Sequence, residues 1–130
     1  VHTNNRSITA DDFFTGMFET ALEEDEIIES ISFSKPTKAN YVKFPNPASR
    51  YAMVGVFVAQ FGDEVRVAVT GAGEGGVFRH QEMESALSSN FSADSLSSVN
   101  IVSDGLISDL HASAEYRANL IKEMTKRAIV

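Results

Sequence analysis

The fold is decided by residues 51–70, which run YAMVGVFVAQFGDEVRVAVT. The first half, up to Phe61, is almost continuously apolar, as is typical of a central strand that is buried on both faces. The pair Gly62-Asp63 follows, and a pair that begins with glycine favours a tight hairpin turn. In residues 64–70 valines then alternate with other residues, which is the period of a half-buried strand. We therefore predict an antiparallel hairpin at the centre of the chain.

Weaker patterns flank this hairpin on its N-terminal side. Residues 27–33 alternate in a way that predicts a strand, and residues 41–44 predict another strand that Pro45 ends. The segment 35–38, Lys-Pro-Thr-Lys, breaks the pattern between them and is the best internal boundary. The sequence therefore predicts strands on both sides of a short break near Pro36.

The first 26 residues predict less regular structure. Asp11 or Asp12 is expected to cap a helical turn that places four apolar side chains on one face. These side chains are Phe13, Phe14, Met17 and Phe18. The acidic run 23–26 is interpreted as a solvated surface loop.

Helical patterns dominate after the glycine cluster 71–76. One helix is predicted to begin near His80, and short helices and turns are predicted in the serine-rich segment 85–113. A long helix is expected from Ser113, which is a suitable N-cap. Strands in the middle and helices at the end together predict an α+β fold, with helices packed on one face of an antiparallel sheet.

Composition excludes several classes of function. The chain has 130 residues, 11 basic and 18 acidic, for a net charge of −7, and this acidic balance argues against nucleic-acid binding. It has no cysteine, which excludes disulfides, thiol catalysis and iron–sulfur ligation by this chain. It shows neither a membrane-spanning apolar run nor a secretory signal pattern. We therefore expect a cytoplasmic protein that does not span a membrane.

Short motifs point to no self-sufficient active site. Residues 71–76 match G-x-G-x-x-G, but Val77-Phe78-Arg79, which predicts extended chain, separates them from the next helix. We therefore prefer a glycine-rich turn to a dinucleotide site. The histidines lack metal-ligand spacing, and no metal site is predicted. Ser32 and Lys35 match S-x-x-K by letters, at a strand end where the motif needs a helix. No catalytic residue is assigned, and these motifs alone favour a binding or structural domain.

Three stretches, considered together, carry a family resemblance. The first is DFFTGMFETAL at 12–22 with DEII at 25–28, and the second is YVK at 41–43 with PASRYAMVGV at 47–56. The third is RVAVTG at 66–71, followed by VFR at 77–79, ESAL at 84–87 and DLHASAEYR at 109–117. Their order and spacing resemble the C-terminal part of the flavin-carrying medium subunit of molybdenum hydroxylases, most of all the medium chain of aerobic carbon monoxide dehydrogenase.

The resemblance implies an architecture and a set of partners. Residues 1–33 would be the C-terminal tail of an FAD-binding domain, and residues 34–130 a flavoprotein C-terminal domain with a three-stranded antiparallel sheet and a helical bundle. It implies an oxidoreductase component in which FAD exchanges electrons with an iron–sulfur small subunit, while a molybdenum large subunit performs the substrate chemistry. The N-terminal FAD-binding half that holds the diphosphate has no counterpart in these residues. We therefore expect this chain alone to be inactive and not to bind FAD measurably.

The resemblance also implies two cofactor-binding residues. Ile28 would lie against the isoalloxazine ring, and Lys43 would approach its polar edge, where a positive charge favours the anionic reduced ring. Core packing for Ile28 and an ordinary surface position for Lys43 are the alternatives. An ion pair between Glu84 and Arg117 is a further hypothesis, joining the last helix to the one before it. The competing interpretation of the whole chain is a protein-interaction module without a redox role.

Overall fold

A computed structural model describes residues 1–16 and 18–129. The chain divides into two compact units, Val1–Lys35 and Pro36–Val130, and each is described by itself. The assignment of 1–33 to the tail of an FAD-binding domain and of 34–130 to a flavoprotein C-terminal domain stays a prediction.

The first unit consists of short elements. Strand β1 (His2–Thr3) pairs antiparallel with β4 (Ile28–Ser30), helix α1 spans Ala10–Phe13, and β2 (Phe14–Gly16) pairs with β3 (Glu19–Thr20). The strand predicted over 27–33 is therefore reduced to three residues, because its partner β1 is only two residues long. Ile31 and Phe33, beyond the end of β4, are exposed.

The apolar face predicted for the first unit is wrong. Helix α1 ends after one turn, and the chain enters β2 directly, so the helical period does not continue. Phe13 is buried, whereas Phe14 and Phe18 are exposed, and Met17 lies outside the described residues. The N-cap is Thr9 and not Asp11 or Asp12, which occupy the first turn of the helix.

One residue of the predicted solvated acidic loop is buried instead. The Glu26 carboxylate accepts hydrogen bonds from Arg6 Nε at 2.8 Å, from the Thr3 hydroxyl at 3.0 Å and from the Glu23 backbone N–H at 2.9 Å. These donors hold the carboxylate inside the first unit because each of them replaces a bond to water. The arrangement depends on Arg6, which lies 20 residues away in the chain, and charge density alone does not reveal it.

The second unit contains a four-stranded antiparallel sheet in the order β5-β6-β7-β8. The strands are β5 (Lys38–Pro45), β6 (Ala52–Phe61), β7 (Glu64–Gly73) and β8 (Gly76–Arg79). The central hairpin is confirmed, because Phe61 pairs with Glu64 across the two-residue turn Gly62-Asp63. The α+β class with an antiparallel sheet is therefore correct.

The predicted number of strands is wrong. Four strands replace the expected three because β7 continues through Gly71 to Gly73, and the chain then returns as β8. Glycine has no side chain to contribute to an alternating pattern, so the end of β7 resembles a loop in the sequence.

The helices lie on the sheet individually and do not form the expected bundle. Helix α2 (Gln81–Ser89) packs on β7, and α3 (Ala114–Ala128) packs across β5, β6 and β7. A 3-10 turn at Ala93–Leu96 lies between them in sequence. The sheet offers one continuous apolar face, so each helix buries its own apolar stripe against it. The most deeply buried large side chains are Val54, Val56, Val65, Val67, Val69, Met83, Leu87, Leu96, Ile121, Met124 and Thr125.

Two helix starts are confirmed. The Ser113 hydroxyl accepts a hydrogen bond from the Tyr116 N–H at 3.2 Å, as expected of an N-cap. Helix α2 begins directly after His80, whose ring caps the Met83 N–H. Within 1–16 and 18–129, no helix combines the length and apolar character needed to cross a membrane.

Candidate functional site

The four-stranded sheet has a second face that the helices do not cover. Val42 and Phe44 of β5 pack towards the helices, so the residues between and before them project to the other side. Cross-strand pairing places Tyr41 opposite Phe57, and Lys43 opposite Gly55, which in turn pairs with Thr70. We call these five residues, Tyr41, Lys43, Gly55, Phe57 and Thr70, the open face. Tyr41 is 45% exposed and Phe57 is 44% exposed, so aromatic surface is available there.

Gly55 makes the open face flat at its centre. A Cβ atom at this position would collide with the Tyr41 hydroxyl and would lie 2.8 Å from the Thr70 methyl carbon. The Tyr41 ring therefore lies across the strand where only glycine leaves room. A glycine inside an otherwise apolar strand often marks a close approach of this kind, and that signal is present in the sequence at Gly55.

Lys43 is exposed on the open face, and its ammonium is held in place. The Nζ atom donates a hydrogen bond to the Arg50 carbonyl oxygen at 2.9 Å. Arg50 belongs to the loop that joins β5 to β6, so the lysine head lies at the loop end of the sheet. A fixed cation beside exposed aromatic rings can bind an anionic or electron-rich planar group.

Ile28 lies in the first unit, in the short strand β4. It pairs with Thr3 of β1, and 41% of its surface is exposed. The side chain therefore keeps apolar surface that its own unit does not bury. Ile28 and Lys43 belong to different units, and each is placed only within its own unit.

The glycine run 71–76 builds a hairpin. Gly71 and Gly73 belong to β7, and Gly76 begins the antiparallel strand β8. At Gly71, φ is +78°, and a Cβ there would meet the Ala52 carbonyl oxygen. At Gly73, a Cβ would lie 2.8 Å from the Phe78 ring. These glycines therefore serve close backbone packing, and the antiparallel strands exclude a dinucleotide-binding unit here, which needs a parallel pair.

The predicted Glu84–Arg117 ion pair is wrong, because each residue has another partner. The Arg117 guanidinium donates to the carbonyl oxygens of Met53 and Gly71 and to Asp109 Oδ2 at 2.9 Å. Helix α3 thus directs Arg117 towards the end of the β6–β7 ladder and not towards α2. The backbone N–H groups of Ala112 and His111, with Arg117 adding to them, hold the pKa of Asp109 below its usual value.

Glu84 instead closes the start of α2 onto the sheet. Its carboxylate accepts from Arg79 Nε at 2.8 Å and from the Val67 backbone N–H at 2.9 Å. Burial alone would raise the pKa of Glu84, but the hydrogen bonds from Arg79 and Val67 outweigh it, and the pKa is lowered. Both charged pairs are structural, since Glu84 and Arg117 each connect a helix to the backbone of a strand.

Within the described part of the chain, no group of histidine and acidic side chains is arranged to hold a metal ion. His2 hydrogen-bonds to the Ser7 hydroxyl at 2.8 Å through Nδ1 and to the Ser32 hydroxyl at 2.9 Å through Nε2. Both ring nitrogens are thus occupied by serines, so no carboxylate orients the ring as in a catalytic triad. The sequence did not indicate this contact, because Ser32 is 30 residues from His2.

The chain is similar to a curated protein along nearly its whole length. The chain is 36% identical to the medium subunit of nicotine 6-hydroxylase from Paenarthrobacter nicotinovorans over 135 aligned positions, which cover 96% of the chain. The chain spans about half of that subunit's length, 47%. No protein-family model matches the chain, and no solved structure matches it. The similarity to this hydroxylase medium subunit therefore extends through both units.

Proposed function

From this homology to a hydroxylase medium subunit, we propose that the chain is the C-terminal portion of the flavoprotein subunit of a molybdenum hydroxylase. The subunit would pass electrons between the iron–sulfur centres of a small subunit and FAD. A molybdenum large subunit would perform the substrate chemistry. The observation that carries the proposal is the 36% identity over 96% of the chain.

The residues present are compatible with a flavin at two points. Ile28 keeps exposed apolar surface, which suits contact with a ring system and excludes water from it. Lys43 presents a positive charge whose position is fixed by the Arg50 carbonyl. When bound, FAD supplies a carrier that accepts and releases one or two electrons. Lys43 would lower the free energy of the negatively charged reduced ring, and Ile28 would hold the ring against apolar surface.

The diphosphate of FAD would be held outside these residues. The glycine run 71–76, the best phosphate-loop candidate in the sequence, is a hairpin in which Gly71 packs against the Ala52 backbone and Gly73 against Phe78. We therefore propose that an N-terminal half of the same subunit supplies the diphosphate site. The length of the relative, about twice the aligned region, is consistent with such a half.

Among the molybdenum hydroxylases, we propose carbon monoxide dehydrogenase as the enzyme whose organisation this subunit shares. The sequence resembles the carbon monoxide dehydrogenase medium chain, whereas the relative is named for nicotine 6-hydroxylase. In the proposed assembly the molybdenum subunit contacts the substrate, so the electron-transfer role of this chain is the same in either case. We propose a carbon monoxide dehydrogenase-like organisation of the three subunits.

The proposal is tested on the full-length subunit encoded by the gene from which these residues come. We expect the purified subunit to carry FAD with its visible absorption, and we expect the 130-residue chain alone to bind no FAD in a calorimetric titration. A full-length subunit that binds no flavin would contradict the proposal and favour the protein-interaction module.

The role of Lys43 has its own measurement. In the flavin-loaded subunit, Lys43→Met is expected to lower the flavin midpoint potential by roughly 30 mV or more, a tenfold change in a two-electron equilibrium. Lys38→Met is the matched control, because Lys38 lies on the same strand. Its ammonium lies near the ring of Phe91, which packs against the core. Equal potentials in both variants would remove Lys43 from the flavin site.

A further inference from the structure

The loop between β5 and β6 contains a residue in an unusual backbone conformation. Arg50 has φ of +65°, in the left-handed region that favours glycine. A side chain with a Cβ adopts this region at a cost, and it persists only where the surrounding structure enforces it. The loop therefore maintains a conformation at Arg50 that the residue itself disfavours.

A dense set of hydrogen bonds enforces that conformation. The Asn46 side-chain oxygen accepts from the backbone N–H groups of Ala48 at 2.9 Å and Ser49 at 3.3 Å. The Arg50 N–H donates to the Asn46 carbonyl at 2.9 Å, and the Asn46 N–H donates to the Tyr51 carbonyl at 2.7 Å. Asn46 thus closes the loop from both sides and leaves the Arg50 carbonyl oxygen outside the loop's own hydrogen bonds.

That carbonyl oxygen is the acceptor that holds the Lys43 ammonium at 2.9 Å. We propose that Arg50 is a positioning residue, whose left-handed backbone turns its carbonyl towards β5 and fixes the Lys43 ammonium at the loop end of the open face. An ammonium has three donors, so the single bond to Arg50 leaves two for an anionic ligand. The identity of that ligand as the flavin ring rests on the proposed function, whereas the positioning itself does not.

Two substitutions of Arg50 separate the effect of its backbone conformation from the effect of its guanidinium group. Arg50→Gly and Arg50→Val both remove the guanidinium and its charge, but only valine resists the left-handed conformation. The probe is a water-soluble acetylating reagent applied to the 130-residue chain, with Lys43 and Lys38 followed by peptide mass spectrometry. In Arg50→Val we expect Lys43 to react roughly fivefold faster, the effect of losing one hydrogen bond. In Arg50→Gly the Lys43 rate should stay near that of the native chain, and Lys38 should be unchanged in both.

Equal Lys43 rates in the two variants would overturn the positioning role and reduce the Arg50 conformation to a means of closing the loop. Amide spectra of both variants establish that each is folded. If Arg50→Val loses its fold, Arg50→Asn replaces Arg50→Gly and Arg50→Thr replaces Arg50→Val, because asparagine tolerates the left-handed region and a β-branched residue does not.

A second readout separates this inference from the proposed function. In the flavin-loaded subunit, Arg50→Val is expected to lower the flavin midpoint potential, as Lys43→Met does. Arg50→Gly should keep the potential near that of the native subunit. If Lys43→Met shifts the potential and Arg50→Val does not, the positioning role fails and the flavin role of Lys43 stands. If the acetylation rates differ as expected and neither variant shifts the potential, the positioning role stands and the flavin role fails.

Discussion

Arg117 shows how one buried side chain can supply hydrogen bonds to two strand carbonyls. The regular β6–β7 ladder ends at the pair Gly55 and Thr70, and beyond it the carbonyls of Met53 and Gly71 accept from the Arg117 guanidinium. The side chain is 4% exposed, and its charge is matched by Asp109. A planar fork with several fixed donors can reach three acceptors at once, which a lysine cannot do.

We expect Arg117→Ala to lower the free energy of unfolding by about 3–5 kcal/mol, because it removes the guanidinium that bonds to the buried Met53 carbonyl, the part-buried Gly71 carbonyl and the Asp109 carboxylate. Arg117→Lys should restore only part of this loss. Arg127→Ala on the exposed side of the same helix is the control and should stay within about 0.5 kcal/mol of the native chain. Urea unfolding followed by circular dichroism measures all three. A loss for Arg117→Ala no larger than that of the control would contradict the bridging role.

Glu26 gives the first unit a defined dependence on pH. Hydrogen bonds from Arg6, then from the Glu23 N–H and Thr3, lower its pKa to about 2, whereas an unfolded glutamate titrates near 4.3. A lowered pKa adds stability above the unfolded value, and this stability disappears as the pH falls from about 5 to about 2. We expect the protection of the Glu23 amide, which donates to Glu26, against hydrogen exchange to fall over that range.

Glu26→Gln is the matched variant for this pH dependence. A neutral amide side chain does not titrate. The protection of the Glu23 amide in the variant should therefore be lower than in the native chain at pH 7, and it should change little below pH 5. The exchange data are corrected for the intrinsic pH dependence of the chemistry with an unstructured peptide. A native chain whose Glu23 protection stays constant down to pH 2 would show that the Arg6–Glu26 pair does not stabilise the first unit.

At the scale of elements, glycines with different surroundings make separable predictions. Gly62 has φ of +64° and open space around it, whereas Gly71 has φ of +78° and lies against the Ala52 carbonyl. We expect Gly62→Ala to cost about 1 kcal/mol from backbone strain alone. Gly71→Ala should cost about 2 kcal/mol more, because strand β6 must move away. Thermal unfolding of both variants measures the difference, and equal costs would mean that β6 does not hold Gly71 tightly.

The elements that the sequence predicts well are those with side-chain periodicity. The valines of 64–70 alternate over a long stretch, and Ser113 precedes a clear helical stripe, so both elements are confirmed. The sequence predicts extended chain at 77–79 but not its pairing as a fourth strand, because the glycines before it carry no pattern. A glycine cluster after a strand is nevertheless compatible with a second hairpin.

The partners of charged residues are harder to predict from the sequence than the helices and strands are. Glu84 on α2 and Arg117 on α3 carry opposite charges, but each side chain contacts a different part of the sheet. That choice depends on how the helices pack, which sequence spacing does not encode. The Lys43–Arg50 contact is local and short in sequence, but it requires a left-handed arginine that residue type does not indicate.

At the scale of the whole molecule, the two units differ in the amount of core they contain. Among the described residues, the buried apolar side chains of Val1–Lys35 are Ile8 and Phe13, whereas the main core cluster lies entirely in the second unit. Two-stranded sheets are marginal in water, and both sheets of the first unit have only two strands. The second unit, in contrast, has four strands covered by helices.

We therefore expect residues 36–130 to fold without the first unit, and residues 1–35 to remain unfolded as a peptide, since chains below about 40 residues rarely bury enough surface. All three tyrosines, Tyr41, Tyr51 and Tyr116, lie in the second unit, so tyrosine fluorescence reports on it alone. Urea unfolding of 36–130 should give one cooperative transition. In the full chain, Phe13→Ala should abolish amide protection in 1–35 while leaving the tyrosine transition in place. Two results would show that the second unit depends on the first for its stability. One is unfolding of 36–130 without cooperativity. The other is a shift of the tyrosine midpoint by Phe13→Ala as large as that caused by a core substitution such as Val67→Ala.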